Sequence, residues 1–154
     1  MPIYSSLSLV IDSNIWIYLY YCGLVDAAFR LGSLHDPDLM LTNELLTQLS
    51  WQDLQDKGTT LDELTSDSMR TLAEIKATTR GVSVCDVACL VLSEQMGIPL
   101  ATHDTDLHKL AQTRNVPCYN FDAFLDLMVT ADIIDSKTRQ AAIDILVRIG
   151  ERPE

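Results

Sequence analysis

Basic residues are scarce in this chain: 154 residues carry 11 Lys and Arg against 22 Asp and Glu, a net charge of −11. For a nucleic-acid binder this is the wrong sign overall, because affinity for phosphate comes mainly from Lys and Arg. Any action on RNA then requires phosphates bridged through metal ions or a few cations gathered locally, with Arg70, Lys76 and Arg80 as one candidate group. The same charge suits a basic partner segment. Long apolar runs are also missing. The uncharged stretch Ile15 to Leu24 holds three tyrosines and is about half of the roughly 20 apolar residues a membrane span needs. No basic n-region precedes the first apolar run, and Asp12 interrupts it, so a secretory signal is not expected.

Cysteine pairs at metal-binding spacing are absent as well. Cys22, Cys85, Cys89 and Cys118 contain no Cys-x-x-Cys, and His35, His103 and His108 form no zinc signature with them. Cys85 and Cys89 stand one helical turn apart among Val84, Val87 and Ala88, where a free thiol packs as a small hydrophobe; a reduced, cytoplasmic setting is expected. There is no Gly-rich phosphate loop, internal repeat or low-complexity tract. With 47% hydrophobic residues the chain suffices for one core and is too short for two.

What is present is an alternation of short apolar runs and helical stretches. Leu7 to Ile11 reads as a buried strand ending at Asp12, followed by a helical stretch from Ile15 to Leu31 bent near Gly23. Asp36-Pro37 reads as a turn, Asp38 to Leu41 as a second strand, and Thr42 or Asn43 as the cap of a helix carrying Leu45, Leu46, Leu49 and Trp51. A polar stretch from Gln55 to Thr65 reads as a loop or short helical excursion. Then come a helix from about Asp67 to Thr78, one starting at Ser83 and stopped by Gly97, a strand Ile98 to Ala101, and a helix Thr105 to Thr113. A strand Val116 to Tyr119 and helices from about Phe121 to Val129 and Ser136 to Ile149 complete the chain. Such alternation implies an α/β fold: a three-layer α/β/α sandwich on a central parallel sheet, because parallel strands need crossovers. Its functional crevice lies beyond the carboxyl ends of the strands.

Acidic residues stand at the edges of four of these segments: Asp12, Glu44, Asp86, and the pair Asp104 and Asp106. Each has a local explanation. Asp12 and Asp104 suit helix caps, Glu44 suits a helix dipole, and Ser83 with Asp86 has capping-box spacing. Gathered together they repel one another, and a protein that assembles them normally needs divalent cations. Local capping and a shared acidic pocket predict the same positions but different distances.

The string Val10-Ile11-Asp12-Ser13-Asn14-Ile15-Trp16, the helical Ser83-x-x-Asp86, and Gly97 to Leu107 with its Thr102-His103-Asp104-Thr105-Asp106 core strongly resemble the PIN domain. That family comprises Mg²⁺- or Mn²⁺-dependent ribonucleases, many of them toxins of toxin–antitoxin pairs (VapC-like). The resemblance covers nearly the whole chain. The segment 131–154, with Ala131-Asp132-Ile133-Ile134 and an amphipathic helix ending Ile149-Gly150-Glu151-Arg152, looks like the C-terminal extension of one PIN subgroup. The resemblance implies that Asp12, Asp86 and Asp104 are metal-site carboxylates, with Asp106 and Asn14 as supporting or water-mediated ligands and Thr102 orienting the site. It also implies an RNA substrate, a small antitoxin with a basic segment, and a homodimer. Trp16, Tyr18, Tyr20 and Tyr21 could lend a partner or dimer surface, or Trp16 and Tyr20 pack in the core with Tyr18 and Tyr21 as amphipathic surface residues. The chain departs from the family at the second motif, where Gln48 stands in place of a glutamate. Either Glu44, one helical turn earlier in the expected helix, replaces it, or the site has only three strong carboxylates. His103 as a proton donor is weighed against an exposed or structural role, and the latter is the commoner. Two readings compete with the nuclease: a PIN-like binding module with a degraded acid set, and a receiver-like regulator. The second would want adjacent acids after the first strand and a later strand-end lysine, which the sequence does not supply.

Overall fold

The computed structural model describes residues 7–151; Arg152, part of the tail motif, lies outside them. Its centre is the run Leu7–Ile11, which forms β1 and buries Leu9, Val10 and Ile11 completely. Strands covered on both faces read as unbroken apolar runs, and this one does. Around it stand β2 (Gly32–Pro37), β3 (Thr60–Asp62), β4 (Leu100–Ala101) and β5 (Cys118–Tyr119). All pairings are parallel, in the order β3-β2-β1-β4-β5. Val10 is the register centre, opposite His35 on one side and Leu100 on the other.

Among the described residues eight α-helices connect and cover the strands: α1 (Ser13–Tyr21), α2 (Val25–Ala28), α3 (Trp51–Lys57), α4 (Ser66–Thr78), α5 (Val84–Met96), α6 (Thr105–Thr113), α7 (Phe121–Thr130) and α8 (Ser136–Arg148). Right-handed crossovers put α4, α5 and α6 on one face and α1, α2 and α3 on the other. There α8 packs on α1 and α7. The result is the expected three-layer α/β/α sandwich. Helix α5 lies over β1, β2 and β4, which is why Val87 through Ser93 are buried without a break. Among the described residues no helix is long and apolar enough to cross a membrane.

The second quarter of the chain departs from the sequence expectation. Asp36-Pro37 is not a turn: both residues belong to β2, and residues 38–42 form a 3-10 helix instead of a strand. Pro37 is tolerated because β1 pairing already ends at His35, so a residue without an N–H costs the inner ladder nothing. No helix begins at Thr42 or Asn43. Residues 43–50 are irregular, and Ser50 caps α3 through a reciprocal capping box with Asp53. The polar segment after Gln55 holds the fifth strand, β3. His35 ties it to β2: its ring bridges Asp62 Oδ2 at 2.7 Å and Ser33 Oγ at 2.8 Å. The stretch Ile15 to Leu31 is divided into α1, α2 and a 3-10 turn, with Gly23 at φ +70 supplying the left-handed bend.

Candidate active site

In an open parallel sheet, ligands bind beyond the strand carboxyl ends where the strand order reverses. Here that point lies between β1 and β4, and Asp12 is the residue after β1. It caps α1, accepting from Ser13 N at 2.9 Å. Its other oxygen accepts from Thr102 Oγ1 at 2.7 Å. Thr102 follows β4 and is fully buried; its hydroxyl also accepts from Asp104 N at 3.1 Å. One hydroxyl thus fixes two of the acids. Asp104 caps α6 through Leu107 N at 3.1 Å. Asn14 Oδ1 accepts from His103 N at 3.1 Å, tying the start of α1 to the same loop.

The third acid arrives from the opposite direction. Asp86 sits in the first turn of α5, with Ser83 and Asp86 forming a reciprocal capping box at 3.0 and 3.1 Å. The local capping expected from the spacing is present. Burial is the main cause that raises Asp12 to about 6 from 3.8; Thr102 opposes the shift, and the charges of Asp86 and Asp104 add to it. Asp86 is raised too, by burial first and by Asp104, while Ser83 and the Lys76 charge oppose. Three carboxylates from three separate elements therefore act on one another at the switch point. Lys76, from the expected basic group, donates to Val82 O at 2.6 Å and so holds the approach to α5. Arg70 pairs with Asp67.

Asp106 lies in the first turn of α6 with its carboxylate against Gly81. A Cβ at residue 81, where φ is +86, would stand 2.9 Å from Asp106 Oδ2. Glu44 and Gln48 do not share a helix. Glu44 is exposed in the irregular segment, beside Asn43, whose side chain donates to Cys85 Sγ at 3.2 Å. Gln48 lines a separate cavity of about 310 Å³ with Tyr20, Gly23 and Lys57, at the far end of α1 from Asp12. The expected replacement of Gln48 by Glu44 from one helical face is thus overturned by the missing helix.

Sequence reasoning missed Asp36. Near the end of β2 it is fully buried, accepting from Trp16 Nε1 at 2.9 Å. Burial pushes its carboxyl well up, helped by the negative charge of Asp12. Cys89 lies between the two acids, its Sγ 3.9 Å from Asp12 Oδ1 and 3.8 Å from Asp36 Oδ1. Burial and both carboxylates push the Cys89 thiol well up, so it is an inert S–H donor. The available signal was positional, since Asp12 and Asp104 each follow a strand and Asp36 stands one residue before the end of β2, the strand after β1 in chain order. Trp16 is buried, and Tyr18, read as a surface residue, packs edge-on against His103 and Phe121 at 5.5 and 5.3 Å. His103 Nδ1 accepts from Phe121 N at 3.2 Å, a structural role.

Chemically the donor set is all oxygen, which suits Mg²⁺ or Mn²⁺. Each carboxylate has about four lone-pair sites and spends one or two on its cap, so Asp12, Asp86 and Asp104 retain free acceptors. Among the described residues, no three His, Cys, Asp or Glu side chains meet closely enough to enclose one ion with their caps in place. The residues fit a hard divalent cation in the chemistry of their donors. No protein-family model matches this chain, and no curated protein matches it either.

Proposed function

We propose that the chain is a divalent-metal-dependent endoribonuclease of PIN-like type. One observation carries the proposal: at the switch point the buried Thr102 hydroxyl is bonded to both the Asp12 carboxylate and the Asp104 backbone, and the charges of Asp86 and Asp104 add to the rise of the Asp12 carboxyl, a repulsion that a cation would relieve. Asp12, Asp86 and Asp104 would hold Mg²⁺ or Mn²⁺, with Asp106 and Asn14 in support. A bound ion of this kind activates water and stabilises charge on a phosphodiester. Thr102 orients Asp12 and the Asp104 backbone together, and Asn14 holds the β4–α6 loop against α1. Lys76 keeps the turn before α5 in place. Incubation of RNA with Mn²⁺, wild type against Asp12→Asn, tests the assignment; equal cleavage by both would sink it.

The finer parts of the proposal are a cytoplasmic toxin, an antitoxin partner that inserts a basic segment into the acidic site, and a homodimer. A co-purifying small basic protein and the mass in solution test these. A second reading is favoured by the position of Gln48 and the exposure of Glu44, which leave three acids where the family has four. In that reading the chain is a binding module without turnover. Calorimetric titration with Mn²⁺ separates the two, because the module predicts no saturable binding and the nuclease predicts binding lost in Asp12→Asn.

A further inference from the structure

Helix α6 faces the core with Leu107 and Ala111. Its opposite stripe, Thr105, His108, Lys109 and Gln112, has the i, i+3, i+4, i+7 spacing of one helical face. That stripe lines a cavity of about 360 Å³ together with His103, Asn120 and, at the end by the acidic centre, Thr102 and Asp104. The cavity thus opens directly beside the acidic centre. Its size falls at the lower end of small-molecule sites, roughly 300 to 1,000 Å³, which suits one nucleoside unit.

The chemistry of the wall differs from that of the centre. Lys109 is exposed and, like Lys76 and Arg80, makes no ion pair among the described residues, whereas Lys57, Arg70, Arg114 and Arg139 are each paired with an acid; it is the one lysine or arginine that lines this cavity. In a chain of net charge −11, an uncommitted cation beside the acidic centre is the kind of local positive charge a phosphate requires. Asp104 repels that phosphate from the inner end, so Lys109 favours a position farther out on α6. Asn120 Oδ1 is spent on capping α7 through Ala123 N at 2.9 Å, which leaves its amide N–H groups as donors. Gln112 offers both a donor and an acceptor, and His108 an aromatic plane; these are the groups that read a splayed base.

We propose that this cavity is a nucleotide subsite, taking the nucleoside phosphate next to the phosphodiester cut at the acidic centre, with Lys109 on its phosphate. The proposal rests on the nuclease reading and is tested apart from it by binding. Titration of 5′-AMP into the metal-free, ¹⁵N-labelled protein is expected to shift the amides of Thr105 to Gln112 and of Asn120. Inorganic phosphate alone should bind more weakly. Lys109→Ala should weaken 5′-AMP by about tenfold, the value of one charge-assisted hydrogen bond, and lower the salt slope of single-stranded RNA binding by about 0.7. In the Mn²⁺ cleavage assay it should raise KM by a similar factor with kcat nearly unchanged.

Equal binding of 5′-AMP by wild type and Lys109→Ala, or shifts located elsewhere, would overturn the subsite. So would inorganic phosphate matching 5′-AMP, which would leave only an anion site. If 5′-AMP binds through Lys109 but the wild type cleaves no RNA, the nuclease reading falls and the subsite stands. If RNA is cleaved but 5′-AMP binding ignores Lys109, the reverse holds.

Discussion

Replacing Asp12 by Asn should stabilise the protein at neutral pH while removing its activity. The buried Asp12 carboxyl is raised from 3.8 to about 6, a shift of roughly two pK units, or about 3 kcal/mol between its protonation states. The sign follows from proton binding. A carboxyl with a raised folded-state pKa binds its proton more tightly when folded, so the associated stability is present in full below pH 3.8. It is lost as pH rises through about 6. The asparagine of Asp12→Asn carries no charge at any pH and keeps the acceptor for Ser13 N, although its amide must share Thr102 Oγ1 with Asp104 N. That rearrangement costs about 1 kcal/mol. Hence the variant and wild type should differ little at pH 4, with wild type ahead by about 1 kcal/mol if either leads. By pH 7.5 in EDTA the variant should lead by about 2 kcal/mol.

Urea denaturation from pH 4 to 8 reads this directly, since a slope of about 1–3 kcal/mol/M converts the gap to about 1 M in midpoint. Mn²⁺ supplies a second arm. At about 100 times its dissociation constant it should add about 2.7 kcal/mol to the wild type and little to Asp12→Asn, reversing their order. A difference between the two proteins that is constant from pH 4 to 7.5 in EDTA would refute the electrostatic account of Asp12. A Mn²⁺ increment equal in both would remove it from the metal site.

Thr102→Val should cost about 1–3 kcal/mol, because it strands the Asp104 N–H and removes the donor to Asp12. It should also push the Asp12 pKa above its value of about 6, so the pH at which RNA cleavage sets in should move up; an unmoved pH profile would contradict the role of the hydroxyl. Gly81→Ala meets both φ +86 and Asp106 Oδ2 at 2.9 Å, and should cost about 1–3 kcal/mol; thermal unfolding of Gly81→Ala with Asp106→Ala should recover only the steric part. Trp16→Phe leaves Asp36 Oδ2 without its 2.9 Å donor and should destabilise by at least about 1–3 kcal/mol in urea, with a loss under about 0.5 kcal/mol arguing against that bond.

The sequence was legible where local chemistry and tertiary structure ask for the same residue. Ser83 with Asp86, Asp104, and Gly97 at φ +68 mark helix ends by capping alone, and the helices they bound, α5 and α6, lie at the expected positions. Asp12 likewise marked the end of β1. Legibility failed between residues 32 and 62, and the cause is tertiary. Asp36-Pro37 carries a strong local turn signal, but a fully buried position between Trp16 and Cys89 overrides it. Once β2 is placed there, the next apolar run at 38–42 has no vacant strand position and closes into a 3-10 helix. The helix expected to carry Glu44 and Gln48 on one face is then lost.

The same logic explains why Asp12, Asp86 and Asp104 stand out in the sequence and Asp36 does not. Asp12, Asp86 and Asp104 are held by backbone N–H groups of their own helices, so their positions are fixed by sequence-local bonds and only their mutual approach depends on the sheet. Asp36 has no such local bond. It is held by side chains 20 and 53 residues away, a relation visible only after β1, β2 and α5 are assembled. Burial and the charge of Asp12 push its carboxyl well up, and the bond it accepts from Trp16 Nε1 makes it a hydrogen-bonding element of the buried floor behind Asp12.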